Sequence, residues 1–596
     1  MTDTKSYWFK KKLRASRTAY ALIGPFMAFF FIFQVIPVLF SFYLSLTDFN
    51  MLQTPNFIGF ENYRSLFIND DVFIIALKNT LLIAFICGPL GYIACFGFAW
   101  LINELSPTLR AVMTLLFYAP TIAGSAFTIW TYIFSGDRHG VVNGILLNLH
   151  LIDAPLQFLT DTRYMMVCCI IVQLWLSLGT SFLSFLAGFR TVDTTLYEAA
   201  AIDGIRNRTQ ELLFVTLPQM KPQLLFGAVM QISGSFTVGT VMSSLTGNPS
   251  TDYATHTIML HINDYGNTRY EMGYACAIST VLLLFMLLVN KVIDRVLRDD
   301  WGGIGLKRKF HLQFYQKKVN RSRAGDALVL FLLIVMAVFM GFPLYYNIVQ
   351  AFKPPEEIFI FPPRFYVVNP TGKNISDLFS LSNGLTVPIS RYLFNSLFVS
   401  IGSTFLSVVV GALAAYPFAK MEFVGRKFLW GLIMMTLLFS GGATSLAVYI
   451  IEAKLGMLNT YWVMILPSVA STLYMFLMRQ FMLQIPGSLL DAAHIDGAGE
   501  LRIFWNIIMP NVKPAWITVA VLTFNGLWNA GSGATVFDEQ LKLLPTAISQ
   551  ITASSGTARK GVAAAATLLL MIPPIVTFVI SQRRMLETMA HSGIKE

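Results

Sequence analysis

Charge is scarce in this chain. Only 13% of its 596 residues are Asp, Glu, Lys or Arg, about half the share of an ordinary soluble domain. A soluble chain of this length would divide into several domains, each needing a charged surface. There is not enough charge to cover them, which excludes an ordinary soluble enzyme and a disordered protein. Cysteine is also thin. Cys87, Cys95, Cys168, Cys169 and Cys276 lie in apolar stretches without CxxC spacing, so they read as small hydrophobes in helices rather than a disulfide scaffold. The seven histidines form no metal-like cluster, His261, His311 and His591 falling in loops or tails. No Ser/His/Asp or Cys/His constellation stands out, and no GxxxxGKS/T phosphate loop occurs. What is plentiful is hydrocarbon: 55% hydrophobic residues, 50 Phe and 26 Met, with mean hydropathy +0.61. That is the composition of a polytopic membrane protein.

A helix crossing the hydrocarbon core needs about 20 mostly apolar residues. Such stretches fall near 19–46, 74–103, 111–135, 163–189, 222–246 and 270–293, then near 326–352, 393–419, 428–451, 460–484, 515–536 and 561–581. The runs are continuous and too long for the alternating strands of a closed barrel. The first lacks a small-residue cleavage site and reads as a retained span. The expected fold is therefore all-α, with about twelve transmembrane helices in two parallel six-helix halves. Basic residues set the orientation. Sixteen of the 43 lie in two places: Lys5, Lys10, Lys11, Lys12, Arg14 and Arg17 before the first span, and a cluster from Lys291 to Arg323 between the sixth and seventh. Both termini and the linker are expected in the cytoplasm, and the net charge of +11 marks topology rather than nucleic acid. The division is 1–300, a basic linker at 301–325, and 326–596.

The halves carry a repeat. After the fourth span of each stands an acid, two alanines and, five residues past the acid, Asp-Gly: Glu198-Ala199-Ala200 to Gly204, and Asp491-Ala492-Ala493 to Gly497. Leu217-Pro218 and Met509-Pro510 follow. The offset is 293 residues at the acid and glycine and 292 at the proline, so the first copy holds one extra residue. Each loop, about 196–222 and 489–514, reads as a short helix with an early acid favoured by the macrodipole, ended by glycine. A second short helix, Glu211–Val215 or Leu501–Ile508, is stopped by the proline pair. The small alanine face allows another protein to approach closely.

At these residues the chain resembles the permeases of ATP-binding-cassette importers, whose cytoplasmic loop carries EAA, three residues, Gly, then Leu-Pro. The Ile-Asp-Gly form is most similar to the carbohydrate-uptake branch. The first half resembles the maltose-type first permease at Gly24-Pro25, Pro37, Ser45-Leu-Thr-Asp48, Phe57-Ile-Gly-Phe-Glu-Asn-Tyr63, Asn79-Thr80 and Leu186-Ala-Gly188. The second resembles its partner permease at Phe342-Pro343, Phe352-Lys353, Asn395-Ser396, Ala414-Ala-Tyr-Pro-Phe-Ala-Lys420, Arg479-Gln480, Ile485-Pro486 and Trp528-Asn529. The two would then be fused in tandem.

The resemblance implies that Glu198, Ala199, Ala200, Gly204, Leu217 and Pro218 form one contact with a cytoplasmic ATPase subunit, and Asp491, Ala492, Ala493, Gly497 and Pro510 the other. It implies no catalytic residue, metal or cofactor in this chain, ATP and Mg being held by two ATPase subunits. It also implies an extracytoplasmic solute-binding protein, touched by segments 353–390 or 530–558, and a bacterial inner membrane. His494 reads as contact surface. Asp491 departs from the usual Glu, and with the extra residue it makes the two sockets unequal. Intramembrane polar groups are the candidates for the solute pathway: Gln173, Trp175, Ser177 and Ser181, then Gln231, Ser233, Ser235 and Tyr274. Helix–helix hydrogen bonding is the alternative for each. Iron, thiamine and polyamine permeases share the loop pattern. A twelve-span secondary transporter would need ionisable groups near mid-membrane, and the spans hold few.

Overall fold

The computed structural model describes residues 16–205, 207–303, 323–381, 387–436, 441–554 and 560–590. The N-terminal basic cluster up to Arg14 and most of the 301–325 linker lie outside the described residues. Among the described residues seven helices are long and apolar enough to cross a membrane, and up to eleven spans result if each bent pair is one. The seven are Arg17–Leu44, Asp71–Asn103, Met272–Ile293, Ala327–Phe352, Ile389–Lys420, Trp462–Leu483, which is interrupted at Ala470 and Ser471, and Lys560–Gln582.

Several expected spans are broken. The stretch 111–135 is two helices, Pro107–Ile122 and Ala126–Ile133, at 84°. The stretches 163–189 and 222–246 bend by 42° and 40°, the first where non-helical Gly179 separates Thr162–Trp175 from Thr180–Thr191. The ninth, 428–451, comprises Arg426–Thr436 and Gly441–Lys454, with 437–440 outside the described residues. The eleventh ends at Trp528 rather than 536. The chain from 530 to 543 holds only short 3-10 turns, and the helix Leu544–Ser554 follows.

The two halves interlock. Helix Arg17–Phe30 of the first packs on Ile389–Lys420 of the second, and the Tyr20 hydroxyl donates to the Val424 carbonyl at 2.7 Å. In return, Arg323–Phe352 packs on Pro107–Ile122, and Lys560–Ala590 on Thr180–Thr191. One buried core runs through both halves. Between two apolar bundles, dispersion and shape decide the packing, so exchanging first helices ties the halves more firmly than a flat face would.

The duplication is visible in hydrogen bonds. Asn62 donates to the carbonyls of Ser45 and Thr47, 2.9 and 2.8 Å away, at the end of the first span. Asn374 does the same for Ala351 and Lys353 at 3.0 and 2.7 Å. Next, Asn79 donates to Tyr253 and His256 carbonyls, and the Thr80 hydroxyl accepts the Ile258 N–H. Asn395 donates to Gln540 and Lys542 carbonyls, and the Ser396 hydroxyl accepts the Leu544 N–H. Each pair satisfies backbone groups that apolar surroundings would otherwise leave unpaired.

Candidate functional site

Two regions carry polar chemistry: the paired loops, and a cavity between the halves. In the first loop, helix Thr194–Ile202 is capped by Asp193, whose side chain accepts the Thr195 N–H. It ends in a Schellman turn: the Ile205 N–H reaches the Ala200 carbonyl at 3.0 Å and the Gly204 N–H that of Ala201 at 3.4 Å. Helix Gly487–Ile495 ends the same way, with Ala498 bonded to Ala493 at 2.9 Å and Gly497 to His494 at 3.0 Å. The turn requires the left-handed region, and Gly204 and Gly497 occupy it at φ 93° and 75°.

The two alanines of each loop face opposite ways. Ala200 and Ala493 are buried, anchoring the helix to the body. Glu198, Ala199, Asp491 and Ala492 are exposed. Ile202 and Ile495, missed in the sequence, stand out at 76% and 86% exposure. Among the described residues of these two helices they are the most exposed large apolar side chains, ahead of Leu196 and Leu489, and their matched spacing past the alanines was the available signal. Leu217 is buried, while Pro218 and Pro510 are exposed.

Beyond the glycine, the expected stop at Pro218 or Pro510 is displaced. The helix widens into a π-turn, Leu212–Thr216 or Phe504–Ile508, continues through the proline, and breaks at Met220 or Val512. A proline lacks the N–H for the bond to residue i−4 and crowds that carbonyl. A wider turn just before it relieves both.

Each loop is clipped to the end of the second helix of its half, by different chemistry. Arg208 pairs with Glu104 at 2.8 Å, above a cavity of about 590 Å³ also lined by Trp100, Tyr197 and Glu211. In the second half, the Tyr416 hydroxyl donates to Glu500 at 2.6 Å.

The second cavity, about 350 Å³, lies between the halves. Gln34 and Met230 come from the first. Thr436, Ser468, Ser471, Thr472, Tyr474 and Thr523 come from the second, with Pro467, Leu473, Gly526 and Leu527. Among the described residues no charged side chain lines it. Ser471 and Thr472 stand at the break between Trp462–Val469 and Thr472–Leu483. Its chemistry is that of hydroxyl and amide groups beside one aromatic ring.

None of the six residues expected on the solute pathway lines this cavity. Trp175 is fully buried and donates to the Met340 carbonyl at 3.0 Å, stitching the halves together. Ser177 and Ser235 donate to carbonyls three residues back, Leu174 and Ile232. Gln231 packs against Gly91, where a Cβ would lie 2.2 Å from its amide nitrogen. Gln173 is half-buried. Of the other two serines considered, Ser181 bonds the Gly227 carbonyl, and Ser233 accepts from Asn290.

Tyr274 belongs to a separate cluster: its hydroxyl donates to Asp70 at 2.7 Å, and Asp70 also meets His261 at 3.0 Å. Burial acts to raise the Asp70 carboxyl, but hydrogen bonds from His261, Tyr274 and the Phe73 N–H outweigh it and hold it well below the ordinary carboxylate range. His261, expected in a loop, is a buried residue of helix Ile258–Asn263. Among the described residues no group of His, Cys, Asp and Glu could hold a metal.

The family of binding-protein-dependent transport system inner membrane components matches residues 320–589. The probable ABC transporter permease protein YesP of Bacillus subtilis is 30% identical over 48% of this chain and 92% of its own length. The sn-glycerol-3-phosphate transport system permease protein UgpE of Yersinia enterocolitica is 30% identical over 44% of this chain and 96% of its own. Among solved structures, a chain of a bacterial alginate ABC transporter, in complex with an alginate pentasaccharide-bound periplasmic protein, aligns over 48% of this chain and 96% of its own. Its identity is 24% and its TM-score 0.41. With relatives matched over nearly their whole length, this chain belongs to the ABC transporter permeases, the inner-membrane components of binding-protein-dependent transport systems.

Proposed function

We propose that this chain supplies both permease halves of an importer, residues 1–300 and 326–596, joined by the linker 301–325. It would carry an uncharged carbohydrate delivered by an extracytoplasmic binding protein. The observation that carries the reading is the neutral, hydroxyl-lined cavity between the halves. Sugars present many hydroxyls and no charge, and donors and acceptors of the same kind pair with them without stranding a buried ion. A ferric or polyamine solute would call for carboxylates, and the lining has none. The positive residues of the N-terminus and linker support a cytoplasmic place for both termini and both loops.

There the exposed faces of Thr194–Ile202 and Gly487–Ile495 would seat in two ATPase subunits holding ATP and Mg. Glu198, Ala199, Asp491 and Ala492 would border each contact, with Ile202 and Ile495 as its apolar centres. Gly204, Gly497, Ala200, Ala493, Leu217, Pro218 and Pro510 would shape the loops. The test is ATP hydrolysis by the full complex in proteoliposomes, with its binding protein and a panel of glucose, maltose, maltotriose and maltotetraose. Stimulation by a saccharide is expected; stimulation by ferric iron or thiamine alone contradicts the reading.

The clips would pass loop motion to the second helices. Breaking the ion pair with Glu104→Gln or Arg208→Gln is expected to lower solute uptake severalfold while hydrolysis persists, so that more ATP is spent per solute. The double reversal Glu104→Arg with Arg208→Glu should recover part of the loss. Tyr416→Phe should act likewise in the other half, because its bond to a carboxylate is worth about 1.5–3 kcal/mol. An unchanged ratio of ATP to solute in all of these would show the clips to be passive.

A further inference from the structure

The central cavity is lopsided, because nearly all its polar groups come from the second half. The exception is Gln34. It lies on the first span inside a π-turn, Phe31–Val35, set between Arg17–Phe30 and Ile36–Leu44. The cause is legible in the chain. Pro37 follows two residues after the turn, as Pro218 follows Leu212–Thr216 and Pro510 follows Phe504–Ile508. In all three places the wide turn precedes a proline that cannot donate to the ladder.

A π-turn holds one residue more than the α-helical path, so it turns a side chain from the face it would otherwise share. Here the residue so placed is an amide that lines the cavity together with Ser471, Thr472 and Tyr474. The Gln34 amide makes no hydrogen bond to any described residue. Its position is backed by helix Gly441–Lys454, which packs on the π-turn. An unpaired amide in a membrane span is costly unless water or a solute completes it.

We propose that Gln34 is a solute-contacting, specificity-determining residue: the amide by which the first half grips a hydroxyl-bearing solute whose other polar contacts are made by the second half. The inference rests on the reading of the cavity as the solute pathway. An amide donates and accepts at once, which matches a vicinal pair of sugar hydroxyls. The two halves separate and approach during transport, so a contact across their boundary holds solute only while they are together.

The test uses the full chain with its ATPase subunits and binding protein in proteoliposomes. Three probes that each add one cysteine are treated with a charged, membrane-impermeant methanethiosulfonate: Gln34→Cys, Thr472→Cys in the same cavity, and Leu39→Cys on the exposed surface of the first span. All five native cysteines are buried, so background labelling is low. Labelling at 34 and 472 but not at 39, changing when ATP is trapped with vanadate, is expected. Labelling at 472 without 34 overturns the inference and leaves the cavity reading standing; labelling at neither overturns both. In parallel, Gln34→Leu should raise the ATP hydrolysed per saccharide about five- to tenfold, the equivalent of one hydrogen bond to solute. Gln34→Asn should restore part of that ratio. An unchanged ratio in Gln34→Leu removes Gln34 from the solute contacts.

Discussion

Replacing Gly497 by valine is expected to reduce ATP-driven uptake to background while the protein still reaches the membrane. The reason is backbone geometry. Gly497 sits at φ 75°, where an ordinary residue costs about 1–2 kcal/mol and a β-branched one is a true outlier. A Cβ built there meets nothing within 4 Å, so crowding inside this chain contributes nothing. The loss comes from unwinding the Schellman turn that aims Gly487–Ile495 and its exposed Ile495. Asparagine, close to valine in bulk but tolerant of the left-handed region, should keep a large part of the activity at this position. Gly204 at φ 93° should show the same order. Uptake recorded in inverted order, or at normal levels in both valine variants, would sink the assignment of these loops as the coupling elements.

The second large effect is expected at Asn395. Its side chain is fully buried. It donates to the Gln540 and Lys542 carbonyls at 2.8 and 2.9 Å and accepts the Tyr461 hydroxyl at 2.7 Å. Asn395→Ala strands the Lys542 carbonyl and the Tyr461 hydroxyl proton and leaves the Gln540 carbonyl only its 3.3 Å bond from Arg391, and each unpaired buried group costs about 1–3 kcal/mol. Water reaching the rim offsets part of this, leaving a loss of about 3 kcal/mol. Asn79 is half-buried and makes two such bonds, so Asn79→Ala should cost less. Thermal inactivation of the purified complex, followed by size-exclusion profile, gives the ranking: Asn395→Ala first, Asn79→Ala next, wild type last. Equal midpoints for the two variants would mean that water replaces these bonds and that the outer segments are held by packing alone.

These two cases show what was legible in the chain. Gly204 and Gly497 could be read because a helix end followed by a forced left-handed residue is a local event. Asn79 and Asn395 were visible as parts of a resemblance, but their job was not, because each clamps carbonyls more than 140 residues away. The cavity between the halves was hidden for a different reason. Ser177 and Ser235 bond locally, each to a carbonyl three residues back. Ser471 and Thr472, by contrast, owe their place to a break in a helix, and Gln34 to a π-turn. Both are departures from the regular period on which face assignments rest.

The bent spans have the same origin. Hydropathy marks how much chain is apolar, whereas the bends fall at Gly179 and near Gly239, where backbone geometry rather than composition decides. The scarcity of charge was the surest signal of all, and it extends to the cavity between the halves, where no described lining residue is charged.

An ATP-driven importer and a secondary transporter differ in what drives the solute. Proteoliposomes containing the full complex, with loaded binding protein outside and ATP inside, allow direct measurement of labelled saccharide accumulation. The account predicts accumulation that requires ATP on the loop side and survives collapse of proton and sodium gradients. Accumulation driven by an ion gradient without ATP would contradict it.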